Sequence, residues 1–149
     1  MFTFRKLGII TDNEIDLILN ATKEQDDEKG YVPSYHFLIK RHNEKAVIGT
    51  IDLRIGFNEN IHYGGNIGFS IYEEYRGNYY ALKACLLLKD LAKAHHMATL
   101  RITCDKDNIA SKKTIDAVGG TYLGDVDLPN YNTMYQEGLR VVSLYDWKL

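Results

Sequence analysis

The sequence predicts a mixed α/β fold in which a largely antiparallel sheet carries helices on its faces. Two apolar runs, Tyr35–Lys40 and Ala46–Ile55, flank a polar turn, and the second alternates apolar with polar residues as a half-buried strand does. Amphipathic patterns over Asn78 to about Met97 and over Ala110–Val118 predict helices. The order is neither a regular βα alternation nor an all-β run, so a mixed sheet is the natural packing. A length of 149 residues suggests a single domain, residues 1–149.

The N-terminal region is predicted to contain a strand and then a helix. Phe2–Leu7 is a short, apolar first strand. Thr11 or Asp12 is suited to cap a helix, whose apolar positions recur at helical spacing: Ile15, Ile18 and Leu19. Asn20–Gly30 is polar and predicted to be a solvated loop or helix end. Its acidic run Asp26-Asp27-Glu28 carries a second hypothesis, a negative lip that attracts a cationic ligand.

The middle of the chain is predicted to be a meander of three strands. Tyr35–Ile55 forms a hairpin with His42-Asn43 at its tip. Gly56–Gly65 is a loop, and Asn66–Tyr72 is the third strand. The helix that follows has one apolar stripe, formed by Ala81, Ala84, Cys85, Leu88, Leu91 and Ala92.

The last third is predicted to add three strands and one helix. Thr99–Cys104 is a buried strand, and the preceding helix makes it a parallel neighbour of Asn66–Tyr72 by a right-handed crossover. Asp107 or Asn108 caps the next helix, which Gly119-Gly120 ends. The final strands are Thr121–Leu128 and Leu139–Lys148, and the loop Pro129–Glu137 joins them.

Composition excludes several classes of function. A net charge of -2 gives no general attraction to nucleic acid or to an anionic membrane. No stretch approaches the roughly 20 apolar residues of a membrane span, and the N-terminus lacks the apolar length of a signal peptide. The two cysteines, Cys85 and Cys104, form no CxxC pair and have no metal-site spacing. We therefore expect a soluble, cytoplasmic protein with reduced thiols and no metal site.

The most informative segment is the strand-to-helix connection between Ile67 and Ala81. A helix N-terminus leaves main-chain N–H groups unpaired and carries a partial positive charge, so this turn suits an anion, most often a phosphate. Arg76 adds a full charge that can bind phosphate oxygens, and Gly77 lets the anion approach the backbone. The pattern favours a phosphate-bearing ligand.

Two motifs resemble those of the GNAT superfamily of N-acyltransferases. Arg76-Gly77-Asn78-Tyr79-Tyr80-Ala81 is similar to its R/Q-x-x-G-x-G/A loop for acyl-CoA, and Asn66–Ile71 resembles its central strand. Asp107-Asn108-Ile109-Ala110-Ser111 followed by Gly119-Gly120 resembles its second CoA-side motif. The similarity runs from about Ala46 to Gly124, and Ile102–Ser111 resembles a group of predicted bacterial acetyltransferases of undefined substrate. The resemblance implies a mostly antiparallel sheet of six to seven strands with two splayed parallel central strands.

The resemblance also implies where acetyl-CoA would bind, without a metal. The pantetheine arm lies between the splayed strands, bound by main-chain groups of Phe69, Ser70 and Ile71, which also polarise the thioester carbonyl. Main-chain N–H groups from Gly77 through Asn78, Tyr79 and Tyr80 to Ala81 hold the pyrophosphate, next to Arg76. Asn108, with Ser111 in the same turn, contacts the pantetheine arm from the other strand.

Two positions depart from the pattern of that family. Tyr79 stands where glycine is preferred, so its ring has to point away from the phosphates. Ile115 stands where many members have a tyrosine that protonates the leaving thiolate. Ser111 is then one alternative acid, and Tyr131 and Tyr135 in the last loop are others. For each of them a purely structural role is the competing interpretation.

The base is also undefined by the motifs. The acceptor amine must lose a proton before it attacks. The carboxylate often found at the start of the central strand is Asn66 here. Glu73 or Glu74 could act through water, although both fit a solvated turn. His36 and His62 are suited to proton transfer by residue type, but a lone histidine is more often structural.

The resemblance thus implies an N-acetyltransferase that uses acetyl-CoA as cosubstrate in a direct transfer. Its acceptor would be a small-molecule amine or a protein N-terminus, and a homodimer through the C-terminal strands is one hypothesis. A domain that binds acyl-CoA as a sensor without turnover is the alternative. A nucleotide-binding domain is a weaker third, because the chain has neither GxxxxGK[ST] nor GxGxxG.

Overall fold

A single sheet forms the centre of the computed structural model, which describes residues 2–149. Its eight strands stand in the order β1-β2-β3-β4-β5-β6-β8-β7. All neighbours are antiparallel except β5 and β6, which are parallel as predicted. The strands are β1 (Ile10–Thr11), β2 (Ile15–Lys23), β3 (Ser34–Arg41), β4 (Val47–Arg54), β5 (Ile67–Ile71), β6 (Thr99–Asp105), β7 (Thr121–Asp127) and β8 (Val141–Lys148).

Five short helices lie against this sheet. They are α1 (Glu59–Gly64), α2 (Tyr80–Leu87), α3 (Lys89–Ala94), α4 (Ile109–Val118) and α5 (Thr133–Gln136). Among the described residues, no helix is long and apolar enough to cross a bilayer. The predicted loops Gly56–Gly65 and Pro129–Glu137 thus each contain a helical turn or two, α1 and α5.

The predicted helix over Ile15 and Leu19 is wrong, because this segment is the strand β2. The side chains of Ile15 and Leu17 are buried in the core while that of Asp16 between them is not, so the alternation of a strand decides the conformation. Asp12 makes the bonds expected of a helix cap, accepting at 2.8 Å from the main-chain N–H groups of Glu14 and Ile15. Here the bonds close the turn between β1 and β2, since the same side-chain chemistry serves both structures.

The predicted strand Phe2–Leu7 is also absent. The segment has no strand pairing and is held mainly by its side chains. Phe2 stacks on His95 with ring centroids 4.7 Å apart, and the main-chain N–H of Arg5 donates to the hydroxyl of Tyr35 at 2.8 Å. Strand β2 and the short β1 make the sheet one strand larger than the six to seven predicted.

The predicted long helix is divided into α2 and α3 at Leu88. Its apolar stripe is confirmed, because Ala84, Cys85, Leu88, Leu91 and Ala92 are all buried against the sheet. This face of the sheet carries the main core. Its largest members are Tyr35, Phe37, Ile15, Leu17, Ile39, Ile48, Ile51, Leu53, Ile67, Leu88, Leu100 and Ile102.

The opposite face of the sheet is covered at one end only. A smaller apolar cluster there joins β8 to the helices α1 and α5. Its members are Leu128, Val142, Leu144, Tyr63, Met134 and Tyr135. Over β3 and β4 the same face presents polar and charged side chains, which are half-buried rather than packed under a helix. The contrast between the faces leaves room for a cavity.

Candidate functional site

A cleft opens between the parallel strands β5 and β6. The two strands pair at Ile67 and Ile102 only, and next to that pair the main-chain N–H of Asn66 donates to the carbonyl of Arg101 at 2.6 Å. Successive residues of a strand direct their main-chain groups to opposite sides. The carbonyl of Asn66 and the N–H of Tyr72 bond to β4. Main-chain groups of the odd-numbered residues between them, including Phe69 and Ile71, therefore face the cleft.

Main-chain groups in this cleft are therefore free to bind an extended ligand as an additional strand would. Those of Phe69 face it without a pairing strand, whereas Ser70 stands opposite Thr50 and directs its main-chain groups to β4. At the mouth of the cleft, Nε of Arg76 donates to the carbonyl of Ile71 at 2.8 Å. This bond places the guanidinium of Arg76 beside the start of α2.

The β5–α2 turn, residues 72–80, ends in a helix start without a cap. No side chain caps α2, and the main-chain N–H groups from Gly77 to Leu82 find no acceptor among residues 2–149. The side chain of Asn78 instead stabilises the turn by donating to the carbonyl of Tyr75 at 3.1 Å. Gly77 has φ +88°, and a side chain there would meet no atom within 4 Å. An anion of phosphate size fits the donors of this turn.

Tyr79 is the N-cap residue of α2 and lies in the left-handed region, with φ 62°. Its side chain is 74% exposed. The ring therefore points to solvent, as its position in the motif requires, and its main-chain N–H is among the unpaired donors. A non-glycine residue in this region costs roughly 1–2 kcal/mol.

The β6–α4 turn, residues 105–109, lies at the other side of the cleft. Asn108 caps α4, because its Oδ1 accepts from the main-chain N–H of Ser111 at 3.0 Å. This use of the oxygen leaves the amide nitrogen of Asn108 as an unused donor at the exposed start of α4. Ser111 is half-buried, and its hydroxyl makes no hydrogen bond within residues 2–149.

Ile115 and Asn66 occupy the positions where the family often has its acid and its base, and neither side chain is a reactive group here. Ile115 is 0% exposed and packs against Gly120, where a Cβ would approach its side chain to 2.6 Å. The amide nitrogen of Asn66 donates to the carbonyls of Arg54 and Gly56, and its Oδ1 accepts from the N–H of Arg101. Asn66 thereby joins β4, β5 and β6.

Within residues 2–149, no hydrogen bond joins the sequence-predicted acid and base candidates to one another. Glu73 is exposed in a single 3-10 turn after β5, and Ser111 lies on α4. Tyr135 on α5 stacks on Arg140, whose guanidinium carbon is 3.8 Å from the ring centroid. The hydroxyl of Tyr131 donates to the carboxylate of Glu59, and this bond raises the pKa of Tyr131.

A cavity with a volume of about 480 Å³ lies on the open face of the sheet. We call it the open-face cavity. The acidic run Asp26-Asp27-Glu28 does not line it, so the hypothesis of a negative lip is not supported. Its charged side chains are Lys23, Lys29, Arg54 and Asp52, His36 also lines it, and residues of α1 and α5 form its rim.

A chain of hydrogen bonds crosses the floor of this cavity. Nδ1 of His36 lies 2.9 Å from Oδ1 of Asp52, and Nε2 of His36 lies 2.8 Å from Oγ of Ser34. An ionised carboxylate only accepts, so Nδ1 carries a proton, and in the neutral imidazole the Ser34 hydroxyl donates to Nε2. We refer to Ser34, His36 and Asp52 as the triad. Arg54 lies 3.6 Å from the second oxygen of Asp52.

Sequence reasoning singled out His36 but missed the triad. The signal was present in the hairpin, because residues 34 and 36 share one face of β3 and residues 52 and 54 share one face of β4. The register places Ser34 opposite Arg54 and His36 opposite Asp52. The alternation alone could have given the shared faces, whereas the register needed the bulge near Ile39 to be known.

The cysteines offer no activated nucleophile. Burial raises the pKa of Cys85 to about 12, and burial also raises the pKa of Cys104. Because a thiolate is the reactive form, both thiols are poorly reactive near neutral pH. A covalent acyl-cysteine intermediate therefore has no group to carry it.

Several solved structures named as acetyltransferases have this fold. The ribosomal-protein-S5-alanine acetyltransferase from Vibrio fischeri aligns with 77% of this chain and 61% of its own, at 22% identity and TM-score 0.61. The ribosomal L7/L12 alpha-N-protein acetyltransferase RimL, solved with coenzyme A, aligns with 95% of this chain and 98% of its own, at 17% identity and TM-score 0.68. The microcin C7 self-immunity acetyltransferase MccE, solved with acetyl-CoA and AMP, aligns with 78% of this chain and 61% of its own, at 18% identity and TM-score 0.60.

Sequence identities of 17–22% to these structures support the fold alone. The chain spans less than two thirds of the length of the Vibrio fischeri and MccE structures. No curated protein matches the sequence. A family model described as an acetyltransferase (GNAT) domain, however, matches residues 8–121, which is most of the chain. It covers β1 to the start of β7, including the cleft, both turns and the triad. The chain therefore belongs to the GNAT acetyltransferase family.

Proposed function

We propose that this protein transfers an acetyl group from acetyl-CoA to a primary amine by direct attack. The observation that carries the proposal is the cleft between β5 and β6, which are paired at Ile67 and Ile102 only. A pantetheine arm in this cleft would bond to the main-chain groups of Phe69 and Ile71, and to the amide of Asn108. The N–H of Phe69 or Ile71 would then polarise the thioester carbonyl.

The β5–α2 turn would bind the pyrophosphate. It offers the unpaired N–H groups of Gly77 to Leu82 together with the guanidinium of Arg76, which is already fixed to Ile71. Fixed donors at a helix N-terminus lose little conformational entropy when an anion binds. The exposed ring of Tyr79 leaves the approach to these donors open.

The open-face cavity would hold the acceptor. It lies on the side of the sheet away from α2, and its lining residue Asp52 stands opposite Gly68 of β5, so only β4 separates the triad from β5. Its volume is in the range of small-ligand sites, roughly 300–1,000 Å³, and suits a small amine or the end of a peptide. One structural relative is described as modifying the N-terminal serine of ribosomal protein L7/L12, and RimL is named an alpha-N-protein acetyltransferase, which supports a protein N-terminus here.

In the transfer itself, the amine lone pair attacks the thioester carbonyl carbon. The C–N bond forms and the C–S bond breaks. Nitrogen loses a proton to water, and the departing thiolate of CoA takes up a proton from water to become the thiol. Holding both reactants in adjacent sites supplies much of the rate. No acyl-enzyme is needed, in keeping with the unreactive cysteines.

The test is calorimetric titration of acetyl-CoA into the native protein and into an Arg76→Ala, Asn108→Ala double variant. We expect micromolar binding that the double variant loses. Release of CoA thiol is then followed with short peptides that begin with serine or alanine and with a panel of small primary amines. Absence of acetyl-CoA binding to the native protein would refute the proposal.

The burial of Ile115 in the core favours one second candidate, an acyl-CoA sensor. Without a tyrosine at that position, the cleft lacks the usual group that protonates the thiolate. A sensor predicts acetyl-CoA binding with no CoA release for any amine, so the same two measurements separate the two functions.

A further inference from the structure

We infer that the triad Ser34–His36–Asp52 is the proton-accepting site of the acceptor, an inference that rests on the proposed function. All three side chains line the open-face cavity, and their hydrogen bonds of 2.8 and 2.9 Å set one direction of proton movement. The site would take an ammonium group, the form in which a primary amine arrives at neutral pH.

The position of the triad relative to the cleft supports this assignment. His36 stands opposite Asp52 of β4, and Asp52 stands opposite Gly68 of β5. This row crosses three strands and ends at Gly68, next to Phe69 of the cleft, with the guanidinium of Arg54 lying against Gly68. Neighbouring strands are about 4.8 Å apart, so the imidazole lies about two strand spacings from the cleft, a distance that one or two bridging waters span.

The neighbouring charges determine how strongly the triad holds a proton. Asp52 faces the imidazole directly and stabilises its protonated form. Three cations destabilise the protonated imidazole. They are Arg54 and Lys23, which stand opposite Ser34 on β4 and β2, and Lys29 on the rim of the cavity. Arg54 is anchored by bonds of 3.1 Å to the carbonyls of Gly64 and Gly65, so it is fixed beside Asp52.

The proton transfer balances as follows. The ammonium gives one proton, directly or through water, to Oγ of Ser34 as the Ser34 proton passes to Nε2 of His36. A neutral amine and an imidazolium paired with Asp52 result. The amine then attacks the thioester, the C–N bond forms and the C–S bond breaks; the second proton lost by nitrogen passes through water to the departing thiolate, and the imidazolium afterwards releases its own proton to solvent. This division makes His36 the base, Ser34 the hydroxyl that relays the proton to it, and Asp52 a positioning residue.

A second histidine–carboxylate pair provides a matched control. Nδ1 of His42 lies 2.9 Å from Oδ1 of Asp16, the same separation as in the triad. This pair lies at the tip of the β3–β4 hairpin, at the other end of the strands, and does not line the open-face cavity. It reproduces the histidine–carboxylate pair of the triad, without the serine, at a position outside the cavity.

The experiment compares four variants with the native protein, using whichever peptide or amine the native protein acetylates best. General-base catalysis typically contributes 10²–10⁴-fold, so we expect kcat/KM to fall about 100-fold in His36→Gln. Ser34→Ala and Asp52→Asn should each lower it by about tenfold or more, and His42→Gln by no more than about twofold. Thermal unfolding and acetyl-CoA affinity, measured on each variant, should stay near the native values because the triad lies outside the cleft.

The pH profile of kcat/KM distinguishes a proton-accepting role from a structural one. Asp52→Asn removes the anion that stabilises the imidazolium, so the acid limb of the profile should move to lower pH. In His36→Gln that limb should disappear, leaving a rise that follows ionisation of the amine itself.

Three results would overturn the inference. The first is native activity in His36→Gln or an unchanged profile in Asp52→Asn, which would refute the triad alone. The second is an acetyl group found on Ser34 by mass spectrometry, which would mean a covalent route. The third is a native protein that binds acetyl-CoA and acetylates no amine, which would refute the transferase proposal and the triad with it.

Discussion

The two strand-to-helix turns at the mouth of the cleft are similar in position but differ in how they end. Both follow one of the parallel strands and lead into a helix. The β6–α4 turn is internally satisfied, because Asn108 caps α4 and Asp105 accepts from the main-chain N–H of Asp107 at 2.9 Å. The β5–α2 turn has no capping side chain, and Tyr79 occupies the cap position in a left-handed conformation.

The difference lies in how many main-chain donors each helix start leaves unpaired. Asn108 satisfies one N–H of α4, whereas the start of α2 has no side-chain cap, and the lack of a cap costs about 1 kcal/mol. The β5–α2 turn bears a second cost in the conformation of Tyr79. Two unfavourable features in one turn are expected where an anion supplies the missing partner.

The largest effect should come from a negative charge placed in the uncapped turn. Gly77→Asp puts a carboxylate among the donors of the β5–α2 turn, and aspartate tolerates a positive φ better than most residues. We expect acetyl-CoA affinity to fall at least about 100-fold from like-charge repulsion. Gly138→Asp is the matched control, since Gly138 also has a positive φ and open space around its Cβ. Equal loss in both variants would contradict a phosphate site at Gly77.

Removal of the positive charge should have the next largest effect. Arg76→Ala deletes both a charge-assisted bond to phosphate and the bond to the carbonyl of Ile71, so affinity for acetyl-CoA should fall about tenfold or more. The exposed Lys93→Ala on α3 removes an equal charge far from the turn and should leave affinity unchanged. Calorimetry on both variants at two salt concentrations checks the result, and an Arg76→Ala variant of native affinity would contradict it.

The capped turn should respond in stability rather than mainly in binding. Asn108→Ala removes the cap of α4 and should lower the free energy of unfolding by about 1 kcal/mol. Denaturant unfolding measures this loss. Asn108→Asp is the control, because aspartate caps equally well but cannot donate to pantetheine, so it should retain stability while weakening acetyl-CoA binding. A variant that keeps both would show that Asn108 does not contact the ligand.

The smallest effect is expected at Tyr79. Tyr79→Gly relieves the left-handed strain but frees the unfolded chain, so the net gain in stability should be less than about 1 kcal/mol. Acetyl-CoA affinity should change by no more than about twofold, because the ring is exposed and only its main-chain N–H would bind. A large gain in affinity would mean that the ring obstructs the phosphate site.

Several features could be predicted from the sequence because their signals are local. The β3–β4 hairpin, the apolar stripe of α2 and α3, and the Asn108 cap each depend on residues within one or two elements. The parallel pair β5 and β6 followed from the handedness of a short crossover. At the β5–α2 turn, the charge of Arg76 and the conformational freedom of Gly77 indicated an anion site without knowledge of the rest of the fold.

Other features depended on partners distant in sequence. The residues around Ile15 fit a helix or a strand by spacing, and only pairing with β3 made them a strand. Asp12 was a correct signal for a turn but an ambiguous one, because a helix cap and a strand turn use the same side-chain bonds. Phe2–Leu7 has strand-like residues but is held by side-chain contacts instead of strand pairing.

The sequence by itself indicated the family, predicted a site for an anion and gave the alternating faces of most strands, since these follow from short motifs and from the geometry of one element. Only the tertiary structure decided that Ile115 fills the core, that Asn66 joins three strands, and that Ser34, His36 and Asp52 meet in a cavity lined by cations. The physical reason is register: a side chain's face is set by its own strand, but its neighbour is set by how two strands align.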